Sequence, residues 1–393
     1  MKRIAMIAAL VAVAVPACWL AAQEGAKAPL APDGTAEKAP APAQRHVDLC
    51  ICLDTSNSMD GLIESAKAKL WAIVNELATA KPRPVLRVAL YQYGNDRLER
   101  ENGWVQRVCD LTDDLDTVYG KLFGLKTQGG TEYVARVVRS ATSELKWSEA
   151  KDSLKLIFVA GNEPATQDTK FPLQDTCKET IAKGIIVNTI FCGTEDEGRR
   201  TGWADAARWA DGQFASIDQD RGTVAVQTPY DQKLSELGAS LNKTYVAYGA
   251  GGKAGAANQA GQDLNAAASA PAAAERAVGK STVLYRNASW DLVDAVKQQN
   301  KDIASLKEEE LPEEMRKMTP EQRKAYVEEQ AKKRADVQTE IQKLAAQRDA
   351  YIKDEMSKKG LSDKQAFDAA LRSAVREQAQ KKGFEFPTTA PAK

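Results

Sequence analysis

The chain has 393 residues, 43% hydrophobic but only 6% aromatic, enough for two domains with part of the length given to polar helix or spacer. Lys plus Arg and Asp plus Glu each number 54, so no basic field exists to recruit nucleic acid or an anionic membrane. A single histidine, His46, argues against His-centred zinc sites and Ser-His-Asp catalysis, and six cysteines are too few for a disulfide scaffold.

Lys2 and Arg3 precede an apolar run, Ile4 to Ala22, with small residues before Gln23, which reads as a secretory signal peptide over 1–22. Two other readings of the run stay open. Its length just suffices to span a bilayer as an anchor, and Val15-Pro16-Ala17-Cys18 loosely resembles a bacterial lipobox, which would make Cys18 a lipid anchor. All three predict an exported protein: periplasmic, cell-surface or secreted. Residues 23–45 are Ala/Pro-rich and form an extended linker.

From Val47 the pattern changes. VDLCICLD is a nearly continuous apolar run, as expected of a strand buried on both faces. Residues 62–80 carry apolar side chains at helical spacing, then LRVALYQYG (86–94) and WVQRVC (104–109) read as strands. LDTVYGKLFGL and TEYVARVVRSATSEL read as helices, LKLIFVAG (154–161) as a strand, 174–183 as a helix and GIIVNTIFCG (184–193) as a strand. WADAARWA is helical, QFASI a last strand, and Asp231 to about Tyr248 a closing helix. This alternation predicts an open, mostly parallel α/β sheet with helices on both faces, over 46–248.

Residues 249–282 are Gly- and Ala-rich, predicting a linker, open to a marginal Ala helix within it, and two halves that fold separately. The region 283–390 is predicted α-helical: between 301 and 393, 20 Lys/Arg and 18 Asp/Glu indicate long solvated helices. Thr319, Pro320 and Gln322 form a helix start with a capping box, and Ser362 with Gln365 repeats it after Gly360. Val337, Ile341, Leu344 and Tyr351 make a seam interrupted by Arg348 and Glu355, open to a coiled coil, a helical hairpin or self-association.

The first strand ends in Asp54-Thr55-Ser56-Asn57-Ser58-Met59. One carboxylate and two hydroxyls on a turn at a sheet's carboxyl edge suit Mg²⁺ or Mn²⁺, which take hard oxygen ligands and keep waters. The same residues would also serve as a turn and cap for the next helix. Cys50 and Cys52 alternate on the buried strand and read as core thiols, as does Cys192; Cys109 and Cys177 are left as a candidate pair.

In order and spacing, DLCICLDTSNSM, LRVALYQYG, TQGGTEYVARVV and LIFVAGNEP resemble the von Willebrand factor A domain. The resemblance implies a Rossmann-like sheet and a metal-ion-dependent adhesion site. Asp54, Ser56 and Ser58 match its D-x-S-x-S motif, and Thr131, after Gly129-Gly130, matches its distant Thr. The family's later Asp falls on Gly161, so one carboxylate is missing. Either water, Asn162 or Glu163 fills the vacancy, with Glu163 the fifth candidate ligand, or the ion is lost.

The function expected is a binding module, not an enzyme, that captures a protein partner when the partner's acidic side chain completes the ion's shell. No P-loop, nucleophile elbow or paired-acid arrangement points to catalysis. The alternative is a metal-independent scaffold that associates through its C-terminal helices.

Overall fold

The computed structural model describes residues 45–59, 71–217, 226–358 and 367–386. The signal-peptide, linker and Cys18 readings, and the second cap at Ser362 and Gln365, lie outside the described residues.

Six strands form one sheet: β1 (His46–Asp54), β2 (Val85–Tyr93), β3 (Val105–Thr112), β4 (Leu154–Gly161), β5 (Ile185–Cys192) and β6 (Phe214–Ile217). Their order is β3-β2-β1-β4-β5-β6, parallel throughout except that β3 runs antiparallel to β2 at the edge. β1 is central and its side chains feed two cores. Val47, Leu49 and Leu53 pack on one face with helical residues 71–78 (α1) and with α2 (Leu115–Phe123). Cys50 and Cys52 pack on the other with α3 (Val134–Glu144) and α4 (Leu173–Ala182). A strand covered on both faces needs apolar residues at every position, which is why its sequence does not alternate. Two short helices, α5 (Glu195–Arg200) and α6 (Trp203–Trp209), complete the second face, where Trp203 is fully buried.

The five described cysteines are free. Cys109 packs against one face of the sheet and Cys177 against the other, so those two do not meet.

The segment 249–282 corrects the linker reading. After α7 (Asp231–Asn242) it forms two helices, α8 (Gly252–Ala266) and α9 (Ala270–Lys280). Its small residues serve close packing, not flexibility: a Cβ on Gly279 would collide with the Trp71 ring, and one on Gly255 with Trp290. α9 also carries Arg276, 1% exposed, which donates to Asp116 at 2.8 Å and lies over the rings of Trp71 and Tyr119. Alanine has the highest helix propensity of all residues, so an Ala-rich stretch given a surface to pack on becomes helix.

The remainder is helical: α10 (Leu292–Gln299), α11 (Glu313–Arg316), α12 (Pro320–Lys358, 39 residues) and α13 (Phe367–Lys381). The capping box forms as expected, Thr319 N–H donating to Gln322 Oε1 and Gln322 N–H to Thr319 Oγ1. The α12 seam packs within the chain. Val327, Ile341 and Ala345 are buried in it beside Arg334 and Arg348. Arg334 bridges Asp291 (2.7 Å) and Asp294 (2.9 Å), and Arg348 bridges Asp231 (2.7 Å) at the start of α7. α13 reaches the sheet: Gln378 and Asn188 exchange buried amide hydrogen bonds, and Lys81 and Glu385 pair through their backbones.

Candidate metal centre

The candidate centre lies where β1 and β4 end side by side. Asp54 closes β1, and the chain leaves the sheet through Thr55, Ser56 and a 3-10 turn, Asn57–Met59. Thr55 is fixed from two directions. Its N–H donates to the Tyr93 carbonyl at 2.8 Å, while its own carbonyl accepts from Gln128 N–H at 3.0 Å and Asn95 Nδ2 at 3.3 Å. These bonds dock the loop before Thr131 onto the D-x-S-x-S turn. Gly130, at φ +151°, lets that loop run so close to the Gly94 carbonyl that a Cβ would collide with it.

Three of the sequence-predicted residues are joined directly. Asp54 Oδ1 accepts from the Ser56 N–H at 2.8 Å, and the Ser56 and Ser58 hydroxyls lie 3.0 Å apart. Ser58 in turn donates to Asn162 Oδ1 at 3.2 Å, so Asn162 does reach the site from the end of β4. Thr131 is half-buried, and its hydroxyl makes no hydrogen bond among the described residues. Glu163 is exposed at the rim, its carbonyl accepting from Trp203 Nε1 at 2.8 Å.

Gly161 occupies its position for a steric reason. A Cβ there would stand 2.5 Å from the Tyr93 hydroxyl and 3.0 Å from Trp203, both side chains fully buried. The Tyr93 hydroxyl is committed to the Ala160 carbonyl at 2.9 Å. No side chain, and so no carboxylate, enters from that position.

Sequence reasoning missed Glu132. It is 5% exposed, and its carboxyl group lies against the Asp54 carboxyl and the Ser56 hydroxyl, facing the Glu163 backbone N–H. Asp54 is wholly buried, and its Oδ2 meets no donor among the described residues. Burial, then the contact with Glu132, holds the Asp54 carboxyl well above the usual carboxylate range; burial raises Glu132 too. Adjacency to Thr131 was the available signal, since a residue beside a ligand on a tight loop shares its neighbourhood.

The all-oxygen donor set is two carboxyls, two hydroxyls and an amide carbonyl around one orphaned carboxylate oxygen, and it suits a hard divalent cation. Among the described residues no three His, Cys, Asp or Glu side chains gather as a metal cluster. An ion here would therefore depend on the hydroxyls.

The central strand bearing D-x-S-x-S, the glycine-led loop docked on it and an otherwise parallel sheet with one antiparallel edge strand together decide the architecture. The fold is of the von Willebrand factor A type. No protein-family model matches the chain, and no curated protein matches its sequence. Solved structures similar to part of it include the VWA domain of SpRpn10, at 20% identity over 44% of this chain and 88% of that one, TM-score 0.35. The vWF domain of the type V pilus tip protein Mfa5 of Porphyromonas gingivalis matches at 14% identity over 44% of this chain and 90% of that one, TM-score 0.34. Proximal thread matrix protein 1 of the mussel byssus, solved with zinc in its MIDAS motif, matches at 14% identity over 45% of this chain, TM-score 0.35. The chain spans 43% of the mussel protein's length. Among the described residues no helix is long and apolar enough to cross a membrane.

Proposed function

We propose that this chain is an exported binding module whose A domain captures a protein partner through Mg²⁺ or Mn²⁺. Asp54, Ser56, Ser58 and Thr131 would hold the ion, with Glu163 at the rim. The observation that carries this reading is Asp54: a buried carboxylate with an unpartnered oxygen, beside the paired Ser56 and Ser58 hydroxyls, at the carboxyl edge of the sheet. Open α/β sheets bind ligands at that edge. A bound divalent ion would offer an open position to a carboxylate oxygen of the partner. The chain's own part is to fix the donors in advance. The Ser56 N–H orients Asp54, Asn162 orients the Ser58 hydroxyl, and the 126–131 loop is held against Thr55.

Two measurements test the reading on the full chain. Calorimetric titration should detect Mg²⁺ or Mn²⁺ binding that Asp54→Ala abolishes, with Ser58→Ala weakening it less because water replaces one hydroxyl. Partner capture from envelope extract should then require the ion. Equal capture in EDTA, or by Asp54→Ala, would overturn it.

A further inference from the structure

Eight acidic residues are buried among those described: Asp48, Asp54, Asp116, Glu132, Asp168, Asp231, Asp291 and Asp294. Six of them face an arginine. Asp48 has Arg87, Asp116 has Arg276, Asp168 has Arg136, Asp231 has Arg348, and Asp291 and Asp294 share Arg334. Asp54 and Glu132 are the two left over, and no cation reaches either among the described residues. They are also neighbours. A point one bond above the Gly94 Cα lies 2.6 Å from Asp54 Oδ1 and 2.7 Å from Glu132 Cγ, so both acids converge over that glycine.

We propose that Glu132 supplies the second carboxylate of the metal centre, the one that Gly161 cannot provide. The inference rests on the ion-binding reading above and deepens it. The other residues near β4 are poor substitutes. Gly161 is walled in by Tyr93 and Trp203; Asn162 is neutral, and Glu163 is exposed. Glu132 is buried, charged and already in contact with Asp54 and Ser56. Two buried carboxylates without a protein cation are costly to keep, and a chain that pairs every other buried acid leaves these two for a cation from outside. The second carboxylate thus comes from the loop that carries Thr131 instead of from β4. The protein would present two negative charges to a divalent ion, and the partner's oxygen would meet a neutral centre with an open position.

The test is calorimetric titration of the full chain, stripped of metal, with Mn²⁺ and Mg²⁺, alongside the melting temperature with and without each ion. The parent should bind and be stabilised. Asp54→Asn should lose both responses, and Glu132→Gln should weaken affinity at least about tenfold, the scale of losing a group that supports a metal. Glu132→Asp, which keeps the charge on a shorter arm, should fall between parent and Glu132→Gln. Metal-free Glu132→Gln should melt no lower than the parent, showing that the loss is not one of folding. If Glu132→Gln binds like the parent while Asp54→Asn does not, Glu132 is no ligand and the ion-binding reading stands. If the parent itself binds neither ion, both fall together.

Discussion

Asp48 and Asp54 lie on the same strand, six residues apart, and both are wholly removed from solvent. Asp48 is satisfied on every side. Arg87 grips it bidentately at 2.8 and 2.7 Å, and the Ser148 N–H adds a third bond at 2.7 Å. Asp54 receives one backbone N–H and has a second carboxyl group for a neighbour. The price of burying a carboxylate is the same in both places, so the difference lies in who supplies the compensation. At the amino end of β1 the protein supplies it, and the acid is part of the fold. At the carboxyl end no protein cation supplies it among the described residues, and one carboxylate oxygen is left without a partner.

The largest expected effect comes from breaking a satisfied pair. Arg334 bridges both Asp291 and Asp294, and all three are buried. Arg334→Met should cost about 3–5 kcal/mol, because it strands two buried carboxylates. Urea unfolding measures it, and a loss under 1 kcal/mol would mean that α12 contributes little to the stability of the rest. Next is Asp48→Asn, which should cost about 2 kcal/mol, the scale of hydrogen bonds to a charged group. It is smaller because the Arg87 side chain is 26% exposed and can turn to water.

A pH test separates the two kinds of acid without touching the candidate centre. Burial pushes the Asp263 carboxyl up, but Lys280 and Arg276 more than offset this and hold it below the ordinary range. An acid whose folded pKa is depressed contributes stability above its unfolded value, about 4, and loses it as pH falls through the folded value. Asp263→Asn should therefore melt below the parent at pH 7. The gap should narrow as pH drops below about 4, read from melting curves at several pH values. A gap unchanged down to about pH 2 would show that the Asp263 charge is not what matters.

How far the sequence disclosed this molecule depended on whether the signal was local. The four inner strands β1, β2, β4 and β5 appeared as apolar runs because both faces of each are covered, and D-x-S-x-S stood out because its donors sit on one turn. Glu132 did not, since its meeting with Asp54 is made by a loop crossing between distant segments, and only folding puts them together. Arg334 and Arg348 read as charges on a solvated helix or interruptions in a seam, whereas each is buried against a carboxylate far off in sequence. Residues 249–282 misled for a different reason. Composition cannot distinguish small residues kept for flexibility from small residues kept so that Trp71 and Trp290 can approach. Val337, Ile341 and Leu344 of the α12 seam pack against α7 of the same chain, a partner that spacing alone does not name.

The smallest expected change is also the one of opposite sign. Asp54→Asn keeps the shape of the side chain, and its oxygen can still accept from the Ser56 N–H, while a buried acid with no cation beside it is removed. In metal-free protein it should leave stability unchanged or raise it by about 1 kcal/mol, as is common where a site is kept at the expense of the fold. Its melting temperature should not move when Mg²⁺ or Mn²⁺ is added, whereas the parent's should rise in proportion to the logarithm of ion concentration once the site fills. Asp48→Asn should behave in the reverse way, less stable at the start yet still responsive to the ion. The decisive result is the crossing of these two behaviours within one strand. If Asp54→Asn proves as destabilising as Asp48→Asn in the absence of metal, then Asp54 is compensated by the fold after all, and the carboxyl end of β1 is not a place held open for a ligand.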